Sequence, residues 1–133
     1  MEQKDYLLRQ SNKFSLKKRA KSFIYAFKGI GVFVLTQHNV WIHLVAAILV
    51  IVFGFVFDVN FYEWCLLIFA IGFVLTTEIF NTAIEYFVDF VSPEFNKKAG
   101  LIKDMAAGGV LISAITAAII GIIIFLPKII FVL

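Results

Sequence analysis

The chain has 133 residues, 62% of them hydrophobic and only 16% charged, with a mean hydropathy of +0.96. That excludes an ordinary soluble domain, where apolar residues make up about half of the chain and charged residues about a quarter. The net charge of +3 comes without a soluble basic domain, so it reads as attraction to anionic lipid and nucleotide phosphates and not to nucleic acid.

In chain order, residues 1–12 are polar. From about 13 to 36, Leu16, Ala20, Phe23, Phe27, Ile30 and Val34 recur at spacings of three and four, and Lys18, Lys21, Tyr25 and Lys28 recur on another face. This predicts a basic amphipathic helix lying on a membrane surface. Three apolar segments follow, at about 40–57, 61–81 and 105–126, each close to the roughly 20 residues that cross a hydrocarbon core of about 30 Å. The first carries no acid and no lysine or arginine, and His43 is its only titratable group. In the run Trp-Ile-His43-Leu that histidine reads as an interfacial residue with an amide or carbonyl partner. The turn at Asp58-Val-Asn60 joins the first two spans. Ser92-Pro93-Glu94 reads as the start of the third helix, with Ser92 as N-cap, and Pro127 reads as its end. Ala106, Ala107, Gly108, Gly109 and Ser113 give that helix a small-residue surface suited to close helix contact. The fold expected is all-α: a single helical integral membrane domain, 1–133, with an interfacial helix and three transmembrane helices.

Charge orients it. Eight of the twelve basic residues precede the first span, Lys97, Lys98 and Lys103 lie between the second and third, and Lys128 alone follows the third. The positive-inside bias then puts the N-terminus and the 90–104 loop in the cytoplasm. The lone Cys65 has no second cysteine to pair with.

The second span carries the chemistry. At about 100° per residue, Glu78, Asn81, Thr82, Glu85 and Asp89 share an arc of about 100°. Acids in one stripe repel one another and are costly to desolvate beside hydrocarbon, so a metal or a lysine must neutralise them. Counting from residue 61, Glu78 lies about 25 Å along the helix, near the edge of the hydrocarbon, and Glu85 about 10 Å further, among headgroups. Lys103 and Asp104 return to similar depth on the next helix. A lipid hydroxyl can reach such a site from the bilayer and a Mg-bound nucleotide from the water, which is what phosphoryl transfer requires. No phosphate-binding glycine loop is present, so any ATP site is built from helix side chains.

Glu78-Ile-Phe-Asn81-Thr82-Ala-Ile-Glu85-x-x-x-Asp89, followed by Lys103-Asp104-Met-Ala-Ala-Gly108, resembles the signature of the prokaryotic diacylglycerol kinase family, which includes the undecaprenol kinases of Gram-positive bacteria. Lys-Ser-Phe-x-Tyr25-Ala-Phe-x-Gly29-Ile and Asn39-Val-Trp-Ile-His43-Leu match its pattern too, so the likeness runs from about 18 to 127. The resemblance implies a kinase of the bacterial cytoplasmic membrane, assembled as a homotrimer with sites between subunits. Such an enzyme moves the ATP γ-phosphoryl group to a lipid hydroxyl with Mg. By position, it makes Glu78 the catalytic base with Asn81 in support. It makes Glu85 a metal and ATP ligand, and Lys18, Tyr25, Glu94, Phe95, Asn96, Lys103 and Asp104 nucleotide contacts. Two residues depart from the pattern. Gln37 stands where the family has a second metal-binding Glu, which removes one negative charge from the metal and ATP site, and Asn96 stands where His is frequent. A small transporter or holin-like protein, or a catalytically weakened family member acting as a membrane partner, are the other readings the sequence leaves open.

Overall fold

The computed structural model describes residues 15–94 and 96–132, with the backbone alone for Lys18 and Val132. Its elements are four helices: α1 (Leu16–Thr36), α2 (His38–Val56), α3 (Phe61–Val91) and α4 (Lys97–Val132). No strand occurs among the described residues. The last three are long and apolar enough to cross a membrane.

The chain divides after Val32 into two units. In the first, Leu16, Phe23, Phe27 and Ile30 of α1 are exposed. The second unit begins at Phe33, which is buried, and contains α2, α3 and α4. Here α3 packs most extensively on α4 and more sparingly on α2. Long apolar side chains such as Ile48, Phe69, Phe87 and Ile123 stay exposed, as lipid-facing residues do when hydrocarbon is their solvent.

The turn between α2 and α3 follows from local chemistry. Asp58 takes the left-handed conformation at φ 46, tolerable for a short polar side chain. Asn60 Oδ1 then accepts from the backbone N–H of Tyr62 and Glu63, and Glu63 Oε2 accepts from the Asn60 N–H at 2.8 Å. This capping box satisfies donors that hydrocarbon would leave stranded. Lys128 of α4 reaches Glu63 at 3.0 Å, closing the same end. Beneath it, Val59, Leu67, Ile124 and Phe125 form the buried core, with Phe53 and Phe57 set against Phe125 at ring distances near 6 Å.

Two sequence expectations are corrected. Ser92 does not start the third helix but ends the second: its N–H bonds to the Val88 carbonyl, and Pro93 can neither donate onward nor tolerate a helical residue before it. The helix begins at Lys97, where Asn96 Oδ1 accepts from the Lys98 N–H at 2.9 Å. Nor does Pro127 end it, since α4 continues to Val132. Unwinding there would expose carbonyls to hydrocarbon, and Lys128 and Ile129, both packed at this end, hold the next turn in place.

Across the ends of α2 and α3, Gly54 admits the Trp64 indole. A Cβ on Gly54 would lie 2.5 Å from Trp64 Cη2, whereas one on Gly72 would meet nothing. Gly54→Ala is therefore expected to destabilise the fold by about 1–3 kcal/mol, and Gly72→Ala to leave it unchanged or slightly firmer. Thermal unfolding of the two variants in the same detergent checks the contrast.

Candidate functional site

The buried seam of α3 runs Leu67, Ala70, Val74, Glu78 and Asn81, at steps of three and four. One face of one helix thus changes from hydrocarbon to carboxylate and amide without changing direction. The polar stripe is the continuation of the packing seam. It is therefore held as firmly as the core.

Glu78 is only 4% exposed, and its Oε1 lies 3.0 Å from His43 Nε2 on α2. The partner of His43 is thus a carboxylate, not the amide or carbonyl expected from its setting beside Trp41. One turn along, Asn81 is buried; its Nδ2 donates to Glu85 Oε1 at 2.9 Å, and its Oδ1 has no partner. Glu85 is half-buried and Asp89 exposed, so the stripe passes from buried to exposed within three turns. Lys103 on α4 donates to Asp89 at 2.6 Å. Asp104 and Glu94 are exposed.

The remaining expected site residues are dispersed. Gln37 precedes α2 without capping it, and its Nε2 donates to the Tyr86 hydroxyl at 3.4 Å; Tyr86 in turn donates to Thr36 Oγ1 at 3.0 Å. The amide of Gln37 therefore bonds the residue next to Glu85 and not Glu85 itself. Tyr25 is an exposed residue of the first unit. Phe95 and the Lys18 side chain lie outside the described residues. Asn96 spends its side-chain oxygen on the Lys98 N–H.

Sequence reasoning missed three partners: His43, Tyr86 and the pair Thr77–Ser113, whose hydroxyl oxygens lie 2.7 Å apart. Ser113 is fully buried, so this contact crosses from α3 to α4 within the bundle. Deeper still, a cavity of about 310 Å³ is lined by His43, Ala47, Ala70, Val74, Ala114 and Gly121. Its walls are apolar except at His43, which joins it to Glu78.

The donor set suits a hard divalent cation. The orphaned Asn81 Oδ1 sits on the same helix face as the Glu85 carboxylate, and both offer oxygen. Among the described residues no three acids, histidines or cysteines converge. A cation there would therefore take most of its ligands from phosphate and water, as Mg habitually does.

Three apolar helices around a buried carboxylate, with acids grading outward to water, define an integral membrane protein with a polar site at one end of its bundle. The chain belongs to the prokaryotic diacylglycerol kinase family, whose profile matches residues 24–125. It is 39% identical to the undecaprenol kinase of Bacillus subtilis over 108 residues, spanning 81% of this chain and 88% of that one. The diacylglycerol kinase of Synechocystis is 35% identical over 107 residues (80% of this chain, 61% of that one), and the diacylglycerol kinase of Escherichia coli 34% over 95 (71% and 78%). The protein is accordingly a lipid phosphotransferase.

Proposed function

We propose that this chain transfers the γ-phosphoryl group of ATP to the terminal hydroxyl of undecaprenol, with diacylglycerol as the alternative acceptor. The observation that carries the reading is Glu78: a buried carboxylate bonded to His43, the polar residue of an apolar cavity, at the head of a stripe of oxygen ligands on α3. The acceptor preference rests on the greater identity and coverage of the undecaprenol kinase relative. Such a product would feed lipid-carrier metabolism of the cell envelope.

The steps follow from the residues. The hydroxyl-bearing end of the lipid enters the cavity, where His43 leads it to Glu78. That carboxylate accepts the hydroxyl proton as the oxygen attacks the γ-phosphorus. The bond from phosphorus to the β–γ bridging oxygen breaks, ADP leaves with that oxygen, and the proton passes from Glu78 to water. Asn81 and Glu85 are the residues that would hold Mg, which when bound neutralises developing phosphate charge. Lys103, which pairs with Asp89, would meet the phosphates, and Glu94, Phe95, Asn96 and Asp104 are the further nucleotide contacts that the family resemblance implies. Lys18 and Tyr25, of the first unit, are further nucleotide contacts that the family resemblance implies. As the family resemblance implies, the site is completed between copies in a homotrimer. The basic residues before α2 and between α3 and α4 favour the cytoplasmic face for the N-terminus and the 90–104 loop, in the bacterial cytoplasmic membrane.

Glu78→Gln keeps the shape and removes the base, so turnover is expected to fall by about 10² or more. Nucleotide affinity should barely change. Lipid phosphorylation by the purified variant with each acceptor measures both, and turnover within a few-fold of the parent would take Glu78 out of the role. Glu85→Ala and Lys103→Ala are each expected to raise the MgATP concentration for half-maximal rate by about tenfold or more while the protein still inserts and folds. If neither moves it, the nucleotide binds elsewhere.

Gln37 makes the third test. Between Asp5 and Asp58 there is no acid, so no neighbour in sequence replaces the missing charge. A neutral amide oxygen is a poorer Mg ligand than a carboxylate. The enzyme is expected to need more Mg than a relative with Glu at this position, and Gln37→Glu to lower the half-saturating Mg concentration. An unchanged Mg dependence would mean that Gln37 does not stand in for a ligand.

A further inference from the structure

We propose that His43 is a positioning residue for the phosphoryl-transfer step. Its Nε2–H holds Glu78 by Oε1 and so leaves Oε2 to take the proton of the lipid hydroxyl. The inference rests on the reading of Glu78 as the base and adds a residue to it.

Three observations carry it. The two groups lie 3.0 Å apart, and the carboxylate, almost fully buried, cannot easily find water as a substitute partner. They come from different helices 35 residues apart, so no local backbone preference creates the contact. His43 is also the one polar side chain lining the cavity, which puts the imidazole where a lipid hydroxyl at the cavity mouth would arrive.

A carboxylate has two oxygens and free rotation about its last bond. On an apolar seam it has few other donors: Asn81, the next polar residue of the seam, gives its amide N–H to Glu85. Without His43, Glu78 would turn toward whatever donor approaches, including the nucleotide-bound water the site must admit. With one oxygen held, the other has a fixed direction, and an error of about 1 Å in such a geometry costs about a hundredfold in rate.

A merely structural histidine would make the same contact, so the test separates the two roles. His43→Met keeps the bulk and removes the donor. His43→Asn keeps a polar amide but falls short of Glu78, and reports even where the Met variant fails to insert. His43→Gln can reach Glu78 with an N–H. All are measured as full-length protein in mixed micelles with undecaprenol, and with diacylglycerol, for kcat, MgATP KM and thermal midpoint. The Met and Asn variants are expected to lose at least about tenfold in kcat with MgATP KM within about twofold, and Gln to recover most of the loss. In a Glu78→Gln background, His43→Asn should change the residual rate by less than about twofold, because the two residues act as one unit.

Met and Asn variants with near-parental kcat, beside an inactive Glu78→Gln, would overturn the inference and leave the base intact. So would a Gln variant as slow as Asn, or a full further loss in the Glu78→Gln background. An active Glu78→Gln would instead overturn the reading on which the inference rests.

Discussion

Everything at the polar end of the bundle depends on keeping the Glu78 carboxylate on an apolar packing seam. A charge there is expensive, and the cost grows as water is excluded. The fold offsets it with a single donor, the His43 imidazole, brought in from an apolar span, about 40–57, that has no other titratable group. That requirement fixes the register of α2 against α3. It explains why an otherwise apolar span carries one histidine, and why the residue sits little more than one turn inside the end of its helix. At the Phe61 end of α3 polar groups are satisfied differently, by the Asn60 capping box and the Glu63–Lys128 pair. These contacts hold α3 at its start and near its middle, while alanines and glycine between them leave room for a cavity.

From Glu78 outward, side chains lose burial in sequence order: Glu78 and Asn81 are buried, Glu85 is intermediate and Asp89 is exposed. The stripe loses packing neighbours turn by turn, each turn advancing about 5.4 Å along α3. The gradient matters for the proposed reaction because its two substrates dissolve in different phases. The proton acceptor must sit where the lipid hydroxyl is, and the metal ligands where phosphates and water are. A soluble kinase has to close a lid to exclude water from the transfer. Here the bilayer excludes it from one side, and only the aqueous side needs protein groups. The Lys103–Asp89 pair stands on that side, exposed enough that its own contribution to stability is at most about 1 kcal/mol. A lysine so weakly held is free to exchange one anion for another.

What the sequence made legible was what depends on one helix at a time. The number of spans and the shared face of Glu78, Asn81, Glu85 and Asp89 follow from periodicity and length alone. Contacts between helices were less accessible. His43 and Glu78 are 35 residues apart, Thr77 and Ser113 36, and Tyr86 and Gln37 49, and no spacing rule reaches across such gaps. A signal for the first was present, however. The first span has one titratable group and the second has one acid well inside it, and polar groups in hydrocarbon pair with each other when they can. The helix ends were misjudged where a proline had two meanings. Pro93 does mark a boundary, but of the helix before it, because the restriction a proline imposes falls on the preceding residue. Pro127 marks none, because in lipid the helix is costlier to leave than to continue with one bond missing.

The junction at Gln37 ties this departure from the family pattern to the local hydrogen bonding. The Tyr86 hydroxyl has one proton, and it gives that proton to Thr36. Its oxygen can then only receive, and the amide N–H of Gln37 supplies a donor that a carboxylate lacks. A glutamate at this position would have to capture the Tyr86 proton and break the bond to Thr36, or face a lone pair. The neutral residue therefore fits the tyrosine arrangement of this chain, at the expense of a negative charge near Glu85. That exchange ties the last residue of α1 and the residue before α2 to the turn of α3 beyond Asn81. The gain is a firmer frame for the site, and under the proposed function the loss would fall on the grip of a cation, where phosphate oxygens and water would make up the missing ligand.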